Sequence, residues 1–520
     1  MRRQAGVVLP LFSIRTRKDW GIGQLTALPL CAAWISQAGQ RLLQVLPPHT
    51  LSPGETSPYG ALTAFGLDPI YADVDAIDDL DPPAIDEALG SAGQAALARA
   101  RATDSVDYDV VRTLKTKAFD VAFARFVDRE WEHDTPRAKE LAAFIELERG
   151  WLDDLSLYEA LRASHGGWGW TSWPEDERER APVAMARARK DHVPHLLRVA
   201  YTQWILNAQW EAAHAQMREL GVELMGDVPF VVGTESADVW SHAAQFQLPL
   251  SLGAPPDDFS ADGQDWGLPP YDWLAMEGDD LAWVRMRARH AARLYDRFRL
   301  DHVVGYFRQW VRRRDGVDRG RFDPAGAEGQ RARGRRVLGA MLDELSRAGG
   351  RTDLPRAIAE DLGVIPPFVR ESLRELGMPG YRVVPWEKNA TGFRDPKAFP
   401  RDSVVSWSTH DTAPIDAWWS ELPEYDRVPL AERAGVASTS DDDPDRSIGL
   451  IGEMYRAKSD LALVLAQELL GLKDRINTPG TVGPQNWRWR LPRPIEDLAL
   501  DPDVAVRMDA IRALAIESGR

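Results

Sequence analysis

One cysteine, Cys31, stands in a chain of 520 residues. That excludes an internal disulfide and leaves no second thiol for a thiolate metal site. Cys31 therefore reads as a small buried hydrophobe. Long apolar runs are also missing, and no stretch approaches the length of a membrane span. Behind Met1-Arg2-Arg3, the segment Val7-Val8-Leu9-Pro10-Leu11-Phe12 is short and broken by proline, and no small-residue cleavage site follows it. It does not read as a secretory signal, so a cytoplasmic protein is expected. Positive charge is in deficit: 63 Lys+Arg face 79 Asp+Glu, a formal net charge of −16. Such a field repels phosphate backbones and anionic lipid, so neither nucleic acid nor a membrane surface is an expected partner. A neutral substrate is indifferent to it.

Several motifs are absent as well. There is no GxSxG elbow for a nucleophilic serine and no glycine-rich phosphate loop for a nucleotide fold. His302 and His410 lie beside Asp301 and Asp411, yet no HxH or HExxH spacing supports a metal site there. No internal repeat or low-complexity tract appears. Tryptophan, by contrast, is abundant, with 20 in the chain. Indole faces stack well on sugar rings, although about half of them are expected to be core packing.

Short apolar, β-branched segments recur at 6–11, 42–46, 223–229, 297–304, 357–362, 381–385 and 403–408, with 475–478 as an eighth. Helical patterns separate most of them, including 25–37, 201–220 with Gly221 as its stop, 337–346 and 461–472. Strands alternating with helices predict a parallel (β/α)₈ TIM barrel; an open doubly wound sheet is the competing architecture. The long stretch between the second and third strands is helical at 111–149 and 153–163 and carries the turn Gly166-Gly167-Trp168-Gly169-Trp170-Thr171-Ser172-Trp173-Pro174. The whole chain thus reads as one catalytic barrel, with a mainly helical subdomain inserted at 70–200. Loop insertions at 250–275 and 312–335 are expected over its mouth.

Barrel enzymes carry their chemistry at the C-terminal ends of the strands. There the fourth segment delivers Arg299-Leu300-Asp301-His302, the fifth Ala359-Glu360-Asp361, and the seventh Thr409-His410-Asp411-Thr412. Three acids converging on one mouth fit glycosidic chemistry: one attacks the anomeric carbon, one protonates the leaving oxygen, and one steadies the distorted sugar. Arg299 and Asp301 are two apart on a strand, so their side chains share a face, and the guanidinium would keep Asp301 ionised as a nucleophile requires. Glu360 follows the apolar run Ala357-Ile358-Ala359, where burial and nearby negative charge would raise its pKa as a general acid requires. Asp411 with His410 could hold sugar hydroxyls. Helix capping or loop anchoring is the plainer reading of any one of these acids taken alone.

The same residues sit within a longer series: Asp19-Trp20-Gly21-Ile22-Gly23, Thr56-Ser57-Pro58-Tyr59, Gly226-Asp227-Val228-Pro229-Phe230, Ser236-Ala237-Asp238-Val239-Trp240, Gly253-Ala254-Pro255-Pro256-Asp257-Asp258-Phe259-Ser260, Gly263-Gln264-Asp265-Trp266-Gly267 and Asn477-Thr478-Pro479-Gly480-Thr481. In this order they resemble the amylomaltases, the 4-α-glucanotransferases of glycoside hydrolase family 77. The resemblance implies a retaining double displacement on α-1,4-glucans such as maltooligosaccharides, with Asp301 as nucleophile, Glu360 as acid/base and Asp411 as transition-state stabiliser. It implies sugar binding by Tyr59, Asp227, Gln264, Trp266, Arg299, His410 and Asn477, no cofactor, and no separate C-terminal β-domain. Gly60-Ala61, Val303-Val304 and Thr412 depart from the commoner family pattern, which points to a divergent branch. Two other readings stand beside transfer: a retaining α-glucan hydrolase, and a catalytically silent glucan-binding protein.

Overall fold

Apolar side chains that must be buried on both faces of a strand need neighbours on both sides, and a closed parallel sheet supplies them. In the computed structural model, which describes residues 3–256, 263–316, 318, 320–349, 355–390, 392–441, 443 and 445–520, eight strands close into a barrel. They are β1 (Gln4–Val8), β2 (Leu42–Gln44), β3 (Glu223–Val228), β4 (Arg297–Leu300), β5 (Ala357–Ala359), β6 (Gly380–Val383), β7 (Ser403–Ser406) and β8 (Leu461–Leu465). Neighbours in the sheet are neighbours in the chain. Closure comes from β1 on β8, with Gln4 opposite Leu461 and Val8 opposite Leu465. The open doubly wound alternative is thereby excluded.

The eighth strand differs from the sequence expectation. Residues 475–478 are irregular, and the strand is formed by Leu461-Ala462-Leu463-Val464-Leu465, within the segment read as a helix. A continuous apolar run carries no periodicity, so a fully buried strand and a buried helix look alike in sequence. Only Ala466–Leu470 of that segment is helical, and Gly471 at φ 69 ends it. The helix expected at 111–149 is two helices, Tyr108–Arg129 and Pro136–Ser164. Pro136 opens the second, and the Thr135 hydroxyl accepts the amide of Ala138 as its N-cap. The helix expected at 201–220 is Val193–Glu219, and it stops before Gly221 at φ 69 as read.

Between β2 and β3 the chain is mainly helical, with long helices at Pro82–Ala102, Tyr108–Arg129, Pro136–Ser164 and Val193–Glu219. The described residues of the segments expected as loops at 250–275 and 312–335 include regular structure. Leu250–Ala254, Gln264–Asp265, Gln309–Arg313 and Arg321–Asp323 form a four-stranded antiparallel sheet, and residues from Ala327 onward belong to a helix. Of the first segment, residues 257–262 lie outside the described residues, among them Asp257, Asp258, Phe259 and Ser260; of the second, 317 and 319 do.

Trp20, Trp34, Trp210, Trp240, Trp283, Trp407 and Trp419 are core residues, whereas Trp168 and Trp386 are largely exposed. Gly226 on β3 is required by space: a Cβ there would lie 2.4 Å from the Tyr295 ring. Among the described residues no helix is long and apolar enough to cross a membrane.

Candidate active site

Lateral register builds the first part of the site. Asp227 on β3 pairs directly with Arg299 on β4, so both side chains leave the same face of adjacent strands. Arg299 Nη1 donates to both Asp227 oxygens at 2.9 Å and to Asp301 Oδ1 at 2.8 Å, while Nη2 lies 3.9 Å from Glu360 Oε2. One buried guanidinium therefore touches three carboxylates from three consecutive strands. Burial pushes the Asp227 carboxyl up against the opposing pull of Arg299. Arg299 itself is held cationic despite burial, by Asp227 first and Asp301 next.

Glu360 sits one residue past β5, where its own backbone continues the ladder to Leu300 O at 3.0 Å. Its Oε2 accepts the His302 amide at 2.8 Å and its Oε1 the Leu362 amide at 3.1 Å. The first contact depends on an unusual backbone: His302 has φ 45, in the left-handed region. A non-glycine residue is held there only when its surroundings over-determine it. Burial raises the Glu360 carboxyl to about 8; Arg299 opposes the rise and the nearby Asp301 adds to it. Such a group is protonated at neutral pH inside a cluster of carboxylates.

The third part comes from the loops after β2, β7 and β8. The Tyr59 hydroxyl donates to Asp227 Oδ2 at 3.0 Å and lies 3.0 Å from His410 Nε2, and their rings stack at 5.6 Å. His410 Nε2 is 3.2 Å from Asp411 Oδ2, and Asn477 Nδ2 donates to Asp411 Oδ1 at 2.6 Å. Burial alone would raise Asp411, but His410 and the Asn477 amide hold it well below the usual carboxylate range. A continuous polar chain thus runs from Asn477 through Asp411, His410, Tyr59 and Asp227 to Arg299, and from there to Asp301 and Glu360.

All three acids read from the sequence are brought together, along with Tyr59, Asp227, Arg299, His410 and Asn477. Trp266 stands at the rim, edge-on to the His302 ring with centroids 4.9 Å apart. Gln264 is exposed and further out; its Oε1 accepts from Trp266 Nε1 at 3.0 Å. Among the described residues no group of three or more His, Cys, Asp or Glu side chains is arranged to hold a metal ion. Sequence reading missed Arg475, whose guanidinium donates to Asp411 O at 3.0 Å, and Trp487, whose ring lies 5.8 Å from Tyr59 and 6.0 Å from His410. Arg475 lies two residues before Asn477, already singled out, and Trp487 follows Asn486, but neither has a local pattern that marks it.

An acid kept protonated, Glu360, beside one kept ionised, Asp411, on a mouth lined by hydrogen-bonding groups, is equipment for breaking and remaking a glycosidic bond. Comparison with known proteins is specific on this point. The model of the 4-alpha-glucanotransferase family, glycoside hydrolase family 77, matches residues 9–496. A 4-alpha-glucanotransferase of Chlamydia pneumoniae is 29% identical over 512 residues, covering 95% of this chain and 92% of that protein. The chloroplastic/amyloplastic 4-alpha-glucanotransferase of Arabidopsis thaliana is 31% identical, covering 94% of this chain and 82% of that protein. Among solved structures, an amylomaltase from Streptococcus agalactiae in complex with acarbose shares the fold over 100% of both chains, with a TM-score of 0.83 at 23% identity. The chain belongs to the 4-alpha-glucanotransferase family and is a glycosyltransferase that acts on α-1,4-glucans.

Proposed function

We propose that this enzyme moves glucanyl segments between maltooligosaccharides by double displacement through a covalent glucosyl–enzyme intermediate. The observation that supports this most directly is the single Arg299 guanidinium shared by Asp227, Asp301 and Glu360. In this reading Asp301, charge-paired with Arg299, attacks the anomeric carbon of the donor, and Glu360 delivers its proton to the departing glycosidic oxygen. The acceptor's 4-hydroxyl then gives its proton back to Glu360 as its oxygen displaces Asp301. Asp411 stabilises positive charge on the ring in both transition states. Asp227, Tyr59, Arg299, His410 and Asn477 hold the donor sugar, with Trp266 and Gln264 on the rim.

The helical segment 70–200 is then an insertion into the barrel, and 250–275 and 312–335 cover its mouth. The proposed setting is cytoplasmic glycogen or maltodextrin metabolism, whose reducing compartment suits the lone buried thiol Cys31. Incubation with maltotriose tests the reading. Transfer yields glucose together with a ladder of longer glucans, whereas reducing ends that accumulate with no longer chain would assign the enzyme to hydrolysis.

Protonation of Glu360 carries a second expectation. With its carboxyl raised to about 8, the acid form needed for the first step persists through neutral pH and is lost as pH rises through about 8. The basic limb of kcat/KM should therefore fall there, and Glu360→Gln should remove that limb. The substitution should slow maltotriose by roughly 10²–10⁴-fold, and slow a maltosyl donor with a good leaving group far less. Equal slowing of both donors would take the proton-donor role away from Glu360. On the acid side, Asp411 stays ionised below the usual carboxylate range, so it does not set that limb at mildly acidic pH.

A further inference from the structure

The segment that follows β8 does more than supply Asn477. Asn486 pins its turn, with Oδ1 accepting the Thr478 amide at 3.0 Å and Nδ2 donating to Thr481 O at 2.8 Å. The next residue, Trp487, has φ 63, a region that bulky L-residues rarely adopt. Several contacts from distant parts of the chain hold it there. The Trp487 amide donates to Ile476 O at 2.9 Å. Its carbonyl accepts the hydroxyl of Tyr108, at the start of the inserted helix Tyr108–Arg129, at 2.7 Å. Just beyond, the Val106 amide donates to Arg488 O at 2.8 Å, and the fully buried Arg490 donates to both oxygens of Asp19 at 2.8 Å. What the strained backbone delivers is an indole, only 8% exposed, packed against Tyr59 and His410 together.

Tyr59 and His410 arrive from different barrel loops, after β2 and after β7. Each turns a polar atom toward a carboxylate, the Tyr59 hydroxyl toward Asp227 and His410 Nε2 toward Asp411. Apart from their stacking on each other, the indole of Trp487 is, among the described residues, the ring that touches both. We infer that Trp487 is a positioning residue that sets the Tyr59–His410 pair, and that the Tyr108 hydroxyl of the helical insertion keeps Trp487 in place. The insertion is thereby tied mechanically to the donor-sugar site. This rests on the reading that Tyr59 and His410 bind that sugar.

The test uses the full chain and maltotriose, at a temperature where circular dichroism shows each variant folded. Trp487→Asn keeps a residue that tolerates the left-handed region but removes the ring. It should lower kcat/KM by about 10–100-fold, mainly through KM, because a displaced binding group costs that much. Trp487→Phe restores a ring and should recover most of the loss. Tyr108→Phe removes one hydrogen bond far from the sugar and should cost about fivefold; combined with Trp487→Asn it should add nothing further. Parental KM and kcat in Trp487→Asn, alongside an impaired Tyr59→Phe, would overturn the inference while leaving the site reading intact. Parental kinetics in Tyr59→Phe itself would remove the sugar-binding reading and this inference with it. Should the asparagine variant not fold, Tyr108→Phe decides alone: a lowered melting temperature with unchanged kinetics would make the contact merely structural.

Discussion

Asp301→Asn is expected to lower kcat on maltotriose by about four orders of magnitude or more while the protein stays folded. The amide is nearly isosteric with the carboxylate, and its oxygen can still accept from Arg299 Nη1, now 2.8 Å from Oδ1. Asp301 is also partly exposed, with a side-chain accessibility of 25%, so little buried packing is disturbed. What disappears is the anion that forms the bond to the anomeric carbon. Turnover of maltotriose and thermal melting, measured on the same preparation, separate the two effects. Near-parental turnover would take the nucleophile role away from Asp301. Lost turnover accompanied by a collapsed melting transition would show that the residue is needed for the fold.

Arg299→Met should be the most damaging change to stability near the site. The side chain is close in length, but the charge that faces Asp227, Asp301 and Glu360 is gone. Asp227 is fully buried, and Tyr59 would remain its side-chain donor. Leaving such a carboxylate uncompensated costs about 3–5 kcal/mol, readable as a drop in the urea midpoint at pH 7. The sign of the pH dependence follows from linkage. Without Arg299 the folded-state pKa of Asp227, already above its usual value, rises further. A raised acid pKa favours the folded state at low pH and penalises it as pH climbs through that value. The stability gap between variant and parent should therefore narrow on acidification; a gap that widens would contradict the charge argument. In any residual activity the basic limb should move above its parental position, because Arg299 opposes the rise of Glu360.

Much of this site was legible in one dimension because strand ends are local features. Arg299 and Asp301, two residues apart, needed only strand geometry to be placed on one face, and they are bonded as that geometry requires. Glu360 after Ala357-Ile358-Ala359 needed only an apolar run to be read as buried. The raised pKa follows from that burial. His410 and Asp411 were found in the same way, two strand ends further on. The eighth strand was not legible, since Leu461–Leu465 has no alternation to distinguish it from a helix. Its true position moves Asn477 from a strand to a loop that reaches back over the mouth to Asp411.

By itself, then, the sequence determined the alternation of buried strands and helices, the acids at the strand ends, and the excess of negative charge, because each depends on residues near one another in the chain. The tertiary structure decided which of those groups meet. Asp227 faces Arg299 only through the register of β3 on β4. The His302 amide meets Glu360 only because that residue is held at φ 45. Trp487 packs on Tyr59 and His410 while its carbonyl takes a hydrogen bond from a residue 379 positions away. Local patterning encodes burial and backbone preference, whereas partners across such separations are selected by the closure of the barrel and by the packing of the insertion onto it.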